Sequence, residues 1–338
     1  MKMLIVTDAW HPQVNGVVRT YEYMIPELEK LGHEVKVIGP DDFPLHMPMP
    51  GYNEIELTLF PFLPLRKMIK EFSPDSIHIA TEGPLGFAAQ RYCKHEGLPF
   101  NTAYHTQFPD YLAKRVQKIF GPGYDITKKM AIEWIKKFHN ASSAVMIATP
   151  SLGEELKSWG FTSPMRILTR GVMTDIFNIH GPKALEHLPR PIALNVGRVA
   201  IEKNIEAFLD MEWEGSKVVV GSGPSLEALK KKYPDAHFTG PKTGHDLAAH
   251  YRTADVFVFP SITDTFGMVQ PEALACGPPV VGFKRPPSTD IIISPDLGSL
   301  TDDNLSEAAY QALKSPGTRE DRFRHVQEHY TWPIVAQQ

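Results

Sequence analysis

Two carboxylates, Asp264 and Glu272, stand with seven residues between them in the stretch Pro260-Ser-Ile-Thr-Asp-Thr-Phe-Gly-Met-Val-Gln-Pro-Glu-Ala-Leu-Ala-Cys-Gly-Pro-Pro-Val-Val281. The stretch reads as the end of an apolar strand (Val256 to Phe259), a polar turn, a helix running to Ala275, and another apolar strand. A helix that starts after such a turn points its free N–H groups at the C-terminal edge of a sheet, where an anion can sit. One acid then lies in the loop and the other about one turn into the helix, so both can face one ligand. Upstream, Gly197-Arg-Val-Ala-Ile-Glu-Lys-Asn204 places Arg198 and Lys203 beside a glycine after another strand. Two cations in that setting suit a diphosphate. The turn Val220-Gly-Ser-Gly-Pro224 reads either as a place for a base or phosphate or as a plain tight turn.

The first half offers fewer chemical groups. The loop Ala9-Trp-His-Pro-Gln-Val-Asn-Gly16 follows the first strand and lacks the glycine spacing of a dinucleotide fingerprint. Its Asn15-Gly16 pair suits a tight turn that lets backbone approach a ligand. His105, in Tyr104-His-Thr106, stands at a strand end, either as a satisfied loop residue or as a group offered to a ligand.

The elements that must position these groups alternate. Strands are predicted at 2–7, 34–38, 55–60, 76–80, 100–104, 144–148 and 165–168, with helices between them. Such alternation argues for a mostly parallel sheet covered on both faces. Residues 171–190 lose periodicity and gather turn formers, which reads as a linker. Alternation restarts with strands at 192–196, 217–220, 237–239, 256–259 and 280–283, followed by a Pro-rich loop and helices at 304–314 and 319–330. The reading is two doubly wound α/β domains, 1–170 and 191–338. In such domains ligands bind outside the carboxyl ends of the strands, so the unusual loops of both should line one cleft.

Composition sets limits on partners. The net charge of −4 gives no electrostatic case for nucleic acid. Residues 1–180 carry 19 basic and 19 acidic side chains and the remainder 16 and 20. Cys93 and Cys276 have neither metal nor redox spacing and read as buried free thiols in a reducing compartment. The chain opens directly on a strand, with no signal-peptide core and no apolar run of membrane-spanning length. The expectation is a cytoplasmic protein able to touch the inner face of a membrane.

The string Ser261-x-Thr263-Asp264-Thr-Phe-Gly-x-Val-x-x-Glu272-Ala-Leu-Ala-x-Gly-x-Pro-Val280 resembles the signature of family-4 retaining glycosyltransferases of the GT-B fold. Gly197-Arg198 with Lys203, the Gly-Ser-Gly-Pro turn and Pro12-x-x-Asn-Gly16 match in order, so the resemblance covers nearly the whole chain. It implies two Rossmann-like domains facing across a cleft, an acceptor held mainly by the first and a nucleotide-diphosphate sugar, of UDP-sugar or GDP-mannose type, held mainly by the second. Arg198 and Lys203 would neutralise the diphosphate, supported by backbone N–H groups around Thr265, Phe266, Gly267 and Met268. Glu272 would accept from the ribose, and Asp264, in place of the family's usual glutamate, would hold sugar hydroxyls. Gly16 would let backbone close over the phosphates. His105 would approach the reacting sugar, and the base would lie near Gly221 and Phe238. No cofactor or metal is expected, because preformed cations and helix N–H groups can stabilise the leaving phosphate. Relatives usually run one more helix after the segment matching Tyr330-Thr-Trp332, whereas six residues follow Trp332 here.

Residues 111–139 mix bulky apolar residues with seven cations: Lys114, Arg115, Lys118, Lys128, Lys129, Lys136 and Lys137. A basic amphipathic surface can rest on anionic headgroups, or its lysines can simply be solvated. The sequence looks most like bacterial enzymes that glycosylate diacylglycerol or phosphatidylinositol, implying a lipid acceptor and a monomer or weak oligomer. The alternatives are a soluble-acceptor transferase, a nucleotide-sugar epimerase of the same fold, and a sugar-nucleotide-binding protein without turnover.

Overall fold

The computed structural model describes residues 1–13, 15–49, 52–105 and 124–338. The chain divides into two units, Met1–Thr169 with Val335–Gln338, and Arg170–Ile334. In the first unit the strands are β1 (Lys2–Val6), β2 (Glu34–Ile38), the pair β3 (His46–Met49) and β4 (Tyr52–Thr58), then β5 (Ser76–Ile79), β6 (Asn101–Tyr104), β7 (Ala144–Ile147) and β8 (Met165–Ile167). Six of them form one parallel sheet in the order β2-β1-β5-β6-β7-β8. Ile5 sits between Val37 and His78 in that register. The chain lays β2 on one side of β1 and then crosses to lay β5 on the other. A gap therefore opens between the loops that follow β1 and β5, the place where doubly wound sheets take ligands.

The helix Gly16–Lys30 shows how the sequence builds a layer. Asn15 caps it, its side-chain oxygen accepting from Val17 N and Val18 N at 2.9 and 3.1 Å. Val18, Tyr21, Met24 and Leu28 recur at helical spacing and are buried. Pro26 lies inside the helix without ending it. The core gathers Leu4, Val6, Ile38, Leu65, Ile69, Ile79 and Phe138, each side chain worth roughly 2 kcal/mol of burial.

The second unit repeats the plan with β9 (Ile192–Val196), β10 (Ser216–Val220), β11 (His237–Gly240), β12 (Val256–Phe259), β13 (Val280–Phe283) and β14 (Gly298–Thr301). Their order is β11-β10-β9-β12-β13-β14, again all parallel. Its crossing point lies between β9 and β12. Phe208, Val219, Val256, Val258 and Val281 stand at the centre of its core.

Three features differ from the sequence reading. Residues 55–60 do not join the parallel sheet: β4 pairs antiparallel with β3 in a separate two-stranded sheet. Pro48 is tolerated in such an edge strand, but it hides the alternation that would reveal one. Strand β14 was not foreseen, since Gly-Ser-Leu-Thr holds one large apolar residue. Its glycine is needed for close approach, because a Cβ at Gly298 would stand 1.8 Å from the Val280 carbonyl oxygen. Residues 171–190, read as a linker, group with the second unit. There the buried Arg252 donates to Pro182 O at 3.0 Å and Asn178 O at 3.1 Å, which fixes the irregular segment to the helix Gly244–Thr253. At the other end, Gln338 groups with the first unit, its side-chain oxygen accepting from Thr169 N at 2.8 Å.

Candidate functional site

The loops that follow β9 and β12 flank the crossing point of the second unit, and the predicted cations and acids sit on them. The chain leaves β9 through Gly197, makes a short turn at Ile201–Lys203, and places Asn204 at φ 52°. Asn204 donates to Pro260 O at 3.1 Å and Thr263 Oγ1 donates to Glu202 O at 3.1 Å, so the two loops are tied together. Between these ties Lys203 Nζ forms an ion pair with Asp264 Oδ1. The second Asp264 oxygen, Oδ2, is buried and has no hydrogen-bond partner among the described residues. Arg198 is more loosely held, 3.6 Å from Glu202 with its side chain 54% exposed.

The helix Val269–Cys276 begins at Met268 with no side chain capping its first N–H groups. Gly267, at φ 72°, makes the turn into it, and a Cβ there would lie 2.7 Å from the Phe259 ring. Phe266 is buried against Tyr330, with ring centroids 5.9 Å apart. Thr265 and Met268 are half-buried beside it. Glu272, one turn in, accepts from the hydroxyl of the buried Tyr251 at 3.1 Å. Burial and the Glu272 carboxylate both push the Tyr251 phenol well above its usual range, so it stays a donor.

Gly221 and Phe238 play a different local part from Lys203 and Asp264. Gly221 N donates to Gly240 O at 2.9 Å, and a Cβ on Gly221 would meet Gly197 O at 1.9 Å. This glycine lets the loops after β9 and β10 pack backbone to backbone. The Phe238 ring packs against the core of the unit.

In the first unit the crossing point lies between β1 and β5. Asp8, just past β1, is buried and accepts from Leu85 N at 2.8 Å, Gly86 N at 3.2 Å and Thr81 Oγ1 at 2.9 Å. It thereby caps the helix Pro84–Glu96, whose own N-cap, Gly83, has no side chain to do so. Gly16 opens the helix after β1, and a Cβ there would meet nothing within 4 Å. The packing within this unit does not itself require a glycine at that position. His105 follows β6 and is half-buried, its Nε2 standing 2.8 Å from the hydroxyl of Tyr21, which also lies 2.7 Å from His78 Nε2. One phenol proton cannot serve both rings, so at least one imidazole donates from Nε2. Burial lowers His78 to about 4, so its ring is neutral at physiological pH. Asp8, Tyr21 and His78 were not singled out from sequence; a buried Tyr on the inner face of a capped helix carries no pattern beyond core.

Asp8 also gives a pH signature. Burial raises its carboxyl to about 6 from an ordinary 3.8, against the lowering effect of its three donors. The folded state thus holds this proton more tightly than the unfolded chain. The contribution is fully favourable below about pH 4 and is lost as pH rises through about 6, on the order of 3 kcal/mol. Urea unfolding of the protein and of Asp8→Asn should therefore show a stability difference that changes between pH 4 and 7. A difference constant across that range would contradict the assignment.

The basic surface is partly described. Lys114, Arg115 and Lys118 lie outside the described residues. On the helix Tyr124–His139, Lys129 and Lys137 are exposed, Lys136 pairs with Glu133 at 2.5 Å, and Lys128 is half-buried. The same helix exposes Ile126, Met130 and Trp134 (70, 69 and 44%), spaced by four, while burying Ala131, Ile135 and Phe138 on its other face. Among the described residues no helix is long and apolar enough to cross a membrane.

Residues 14–176 match the model for Glycosyltransferase Family 4, and residues 180–325 that for Glycosyl transferases group 1. A GDP-mannose-dependent alpha-mannosyltransferase of Mycolicibacterium smegmatis is 29% identical, with 99% of this chain and 95% of that protein covered. An alpha-monoglucosyldiacylglycerol synthase of Streptococcus pneumoniae is 25% identical over 93% of this chain and 78% of its own length. Among solved structures, Anabaena HepE in complex with UDP superposes with a TM-score of 0.70 at 13% identity, covering 100% of this chain and 98% of that one, which shows a shared fold.

Proposed function

Belonging to the glycosyltransferases that the family 4 and group 1 models describe, this chain is a sugar-transferring enzyme, and we propose that it moves a hexose, with retention, from a nucleotide-diphosphate sugar to a membrane-lipid hydroxyl. The observation that carries the reading is the Lys203–Asp264 pair at the β9/β12 crossing point, beside an uncapped helix start. Breaking a sugar–diphosphate bond puts negative charge on the leaving phosphate and positive character on the anomeric carbon. Lys203, Arg198 and the amides of Phe266, Gly267 and Met268 take the first; preorganised donors of this kind dominate many rate enhancements. The reading therefore assigns no step to a metal ion. Asp264 holds hydroxyls of the transferred sugar, Glu272 holds the ribose, and His105 serves the reacting sugar. In a retaining transfer the leaving phosphate takes the acceptor's proton, and no carboxylate nucleophile is required.

Two observations support a lipid acceptor. One is that relatives named for diacylglycerol and for phosphatidylinositol dimannoside match over most of this chain. The other is the exposed stripe of Ile126, Met130 and Trp134 flanked by Lys129 and Lys137. An apolar stripe beside cations suits the boundary of an anionic bilayer. Relatives named for GDP-mannose favour that donor, with a UDP-sugar as the other candidate.

The test is to incubate the protein with UDP-glucose or GDP-mannose and phosphatidylglycerol vesicles containing diacylglycerol or phosphatidylinositol, then to weigh the lipids. A lipid heavier by one hexose is expected. Vesicle sedimentation should fall roughly tenfold or more in a Lys129→Glu/Met130→Asp/Lys137→Glu variant, at about 1 kcal/mol for each cation lost. Unchanged sedimentation would remove the membrane argument, and transfer to soluble sugars alone would replace the lipid acceptor.

A further inference from the structure

The crossing point of the first unit holds a carboxylate that no role above uses. Glu82 lies three residues past β5, as Asp264 lies five past β12, on the loop that faces the one after the unit's first strand. Its neighbour Asp8 is spent on Thr81 and on the helix start at Leu85 and Gly86. Glu82 Oε1 instead meets His139 Nε2 at 2.9 Å, and Oε2 has no hydrogen-bond partner among the described residues. The Glu82 side chain is 21% exposed, while that of His139 is fully buried.

The surroundings of His139 hold its ring in place. Tyr104, Phe138 and Phe161 enclose the ring, with centroids 5.8, 5.1 and 5.6 Å away. Nδ1 lies 2.8 Å from Thr102 Oγ1. A carboxylate only accepts, so Nε2 donates to Glu82 Oε1. The buried ring thereby fixes one carboxylate oxygen and leaves the other for a further donor.

We propose that Glu82 binds a hydroxyl of the acceptor through Oε2, and that buried His139 is its positioning residue, holding the carboxylate in place through Nε2. The inference rests on the glycosyltransferase reading. A carboxylate beside the buried Asp8 disfavours a further anion and is a strong acceptor for a neutral hydroxyl. The ligand class is a polyol headgroup, of which a glyceride and an inositol lipid are the two probes.

Glu82→Gln and Glu82→Ala should be assayed with the active donor, UDP-glucose or GDP-mannose, in two ways: transfer to vesicles containing diacylglycerol or phosphatidylinositol, and donor hydrolysis by water alone. Both variants should raise the lipid concentration for half-maximal transfer roughly tenfold, while hydrolysis and donor half-saturation stay within about twofold. The lipid that shows the shift identifies the headgroup. Parallel loss of hydrolysis and transfer would make Glu82 a donor-side or purely structural group. Unchanged transfer, or hydrolysis without transfer to either lipid, would also overturn the proposal. Nitrogen-15 correlation spectra test the positioning contact whatever the activity: His139 Nε2 should carry the proton that it donates to Glu82. An Nε2 without a proton would refute that contact. Loss of donor turnover altogether, with that signature intact, would instead count against the functional reading.

Discussion

Lys203→Ala is expected to lower kcat/KM by roughly a thousandfold, the range seen when one preorganised donor to a developing oxyanion is removed. The expectation comes from where Lys203 is held. Its side chain is only 30% exposed, its ammonium fixed by Asp264, on a loop tied to its neighbour through Asn204 and Thr263. A cation so placed loses little freedom when a diphosphate arrives. Arg198, more exposed and 3.6 Å from its only ion-pair partner among the described residues, must be ordered by the ligand. Arg198→Ala should therefore cost less than Lys203→Ala, and Lys203→Arg should recover only part of the loss, since a planar fork does not replace a point charge. Steady-state kinetics with the active donor give the ratio, and thermal unfolding shows whether each variant is folded. A loss below tenfold for Lys203→Ala in a folded protein would take Lys203 off the phosphates.

The residues of the proposed donor site were legible because each stands in a short segment whose pattern is local. Arg198 and Lys203 follow an apolar run and a glycine, and Asp264 and Glu272 bracket a recognisable turn into a helix. Their pairing was not legible. Lys203 and Asp264 are 61 residues apart and meet only because β9 and β12 are sheet neighbours, an order that alternation of strands and helices leaves open. The same holds for Glu82 with His139 and for Tyr21 between His78 and His105. Gly221 was legible as a glycine but not in purpose, since the carbonyl that fills the space above it belongs to another loop. Residues 124–139 read as apolar and basic, yet periodicity cannot say that one apolar stripe is buried and the other, through Ile126 and Met130, faces solvent. In the first unit β3 escaped notice for the opposite reason: its pattern is too short and too broken by proline to announce a strand.

Asp264→Ala should separate two quantities that ordinarily fall together. Asp264 pairs with the Lys203 ammonium and leaves its own Oδ2 buried without a donor among the described residues. Under the proposed assignment a diphosphate must take Lys203 away from it, and a nucleoside diphosphate alone would leave a carboxylate with neither cation nor hydroxyl. A sugar nucleotide would supply both at once, phosphates to Lys203 and hydroxyls to Asp264, so the pair should favour the intact donor over the spent nucleotide. Removing the carboxylate frees Lys203 in advance. The variant should bind UDP or GDP several-fold more tightly than the unmodified protein, on the order of 1 kcal/mol for releasing a partly exposed ion pair. Its turnover should fall a hundredfold or more, because the sugar loses the group that holds it for transfer. Calorimetric titration with the nucleotide and with its sugar conjugate measures both affinities. If nucleotide and sugar nucleotide weaken equally, Asp264 serves the diphosphate or the fold, and the division of labour between Lys203 and Asp264 is wrong. Tighter nucleotide binding with a lost preference for the sugar conjugate would show that the ion pair itself couples phosphate recognition to sugar recognition.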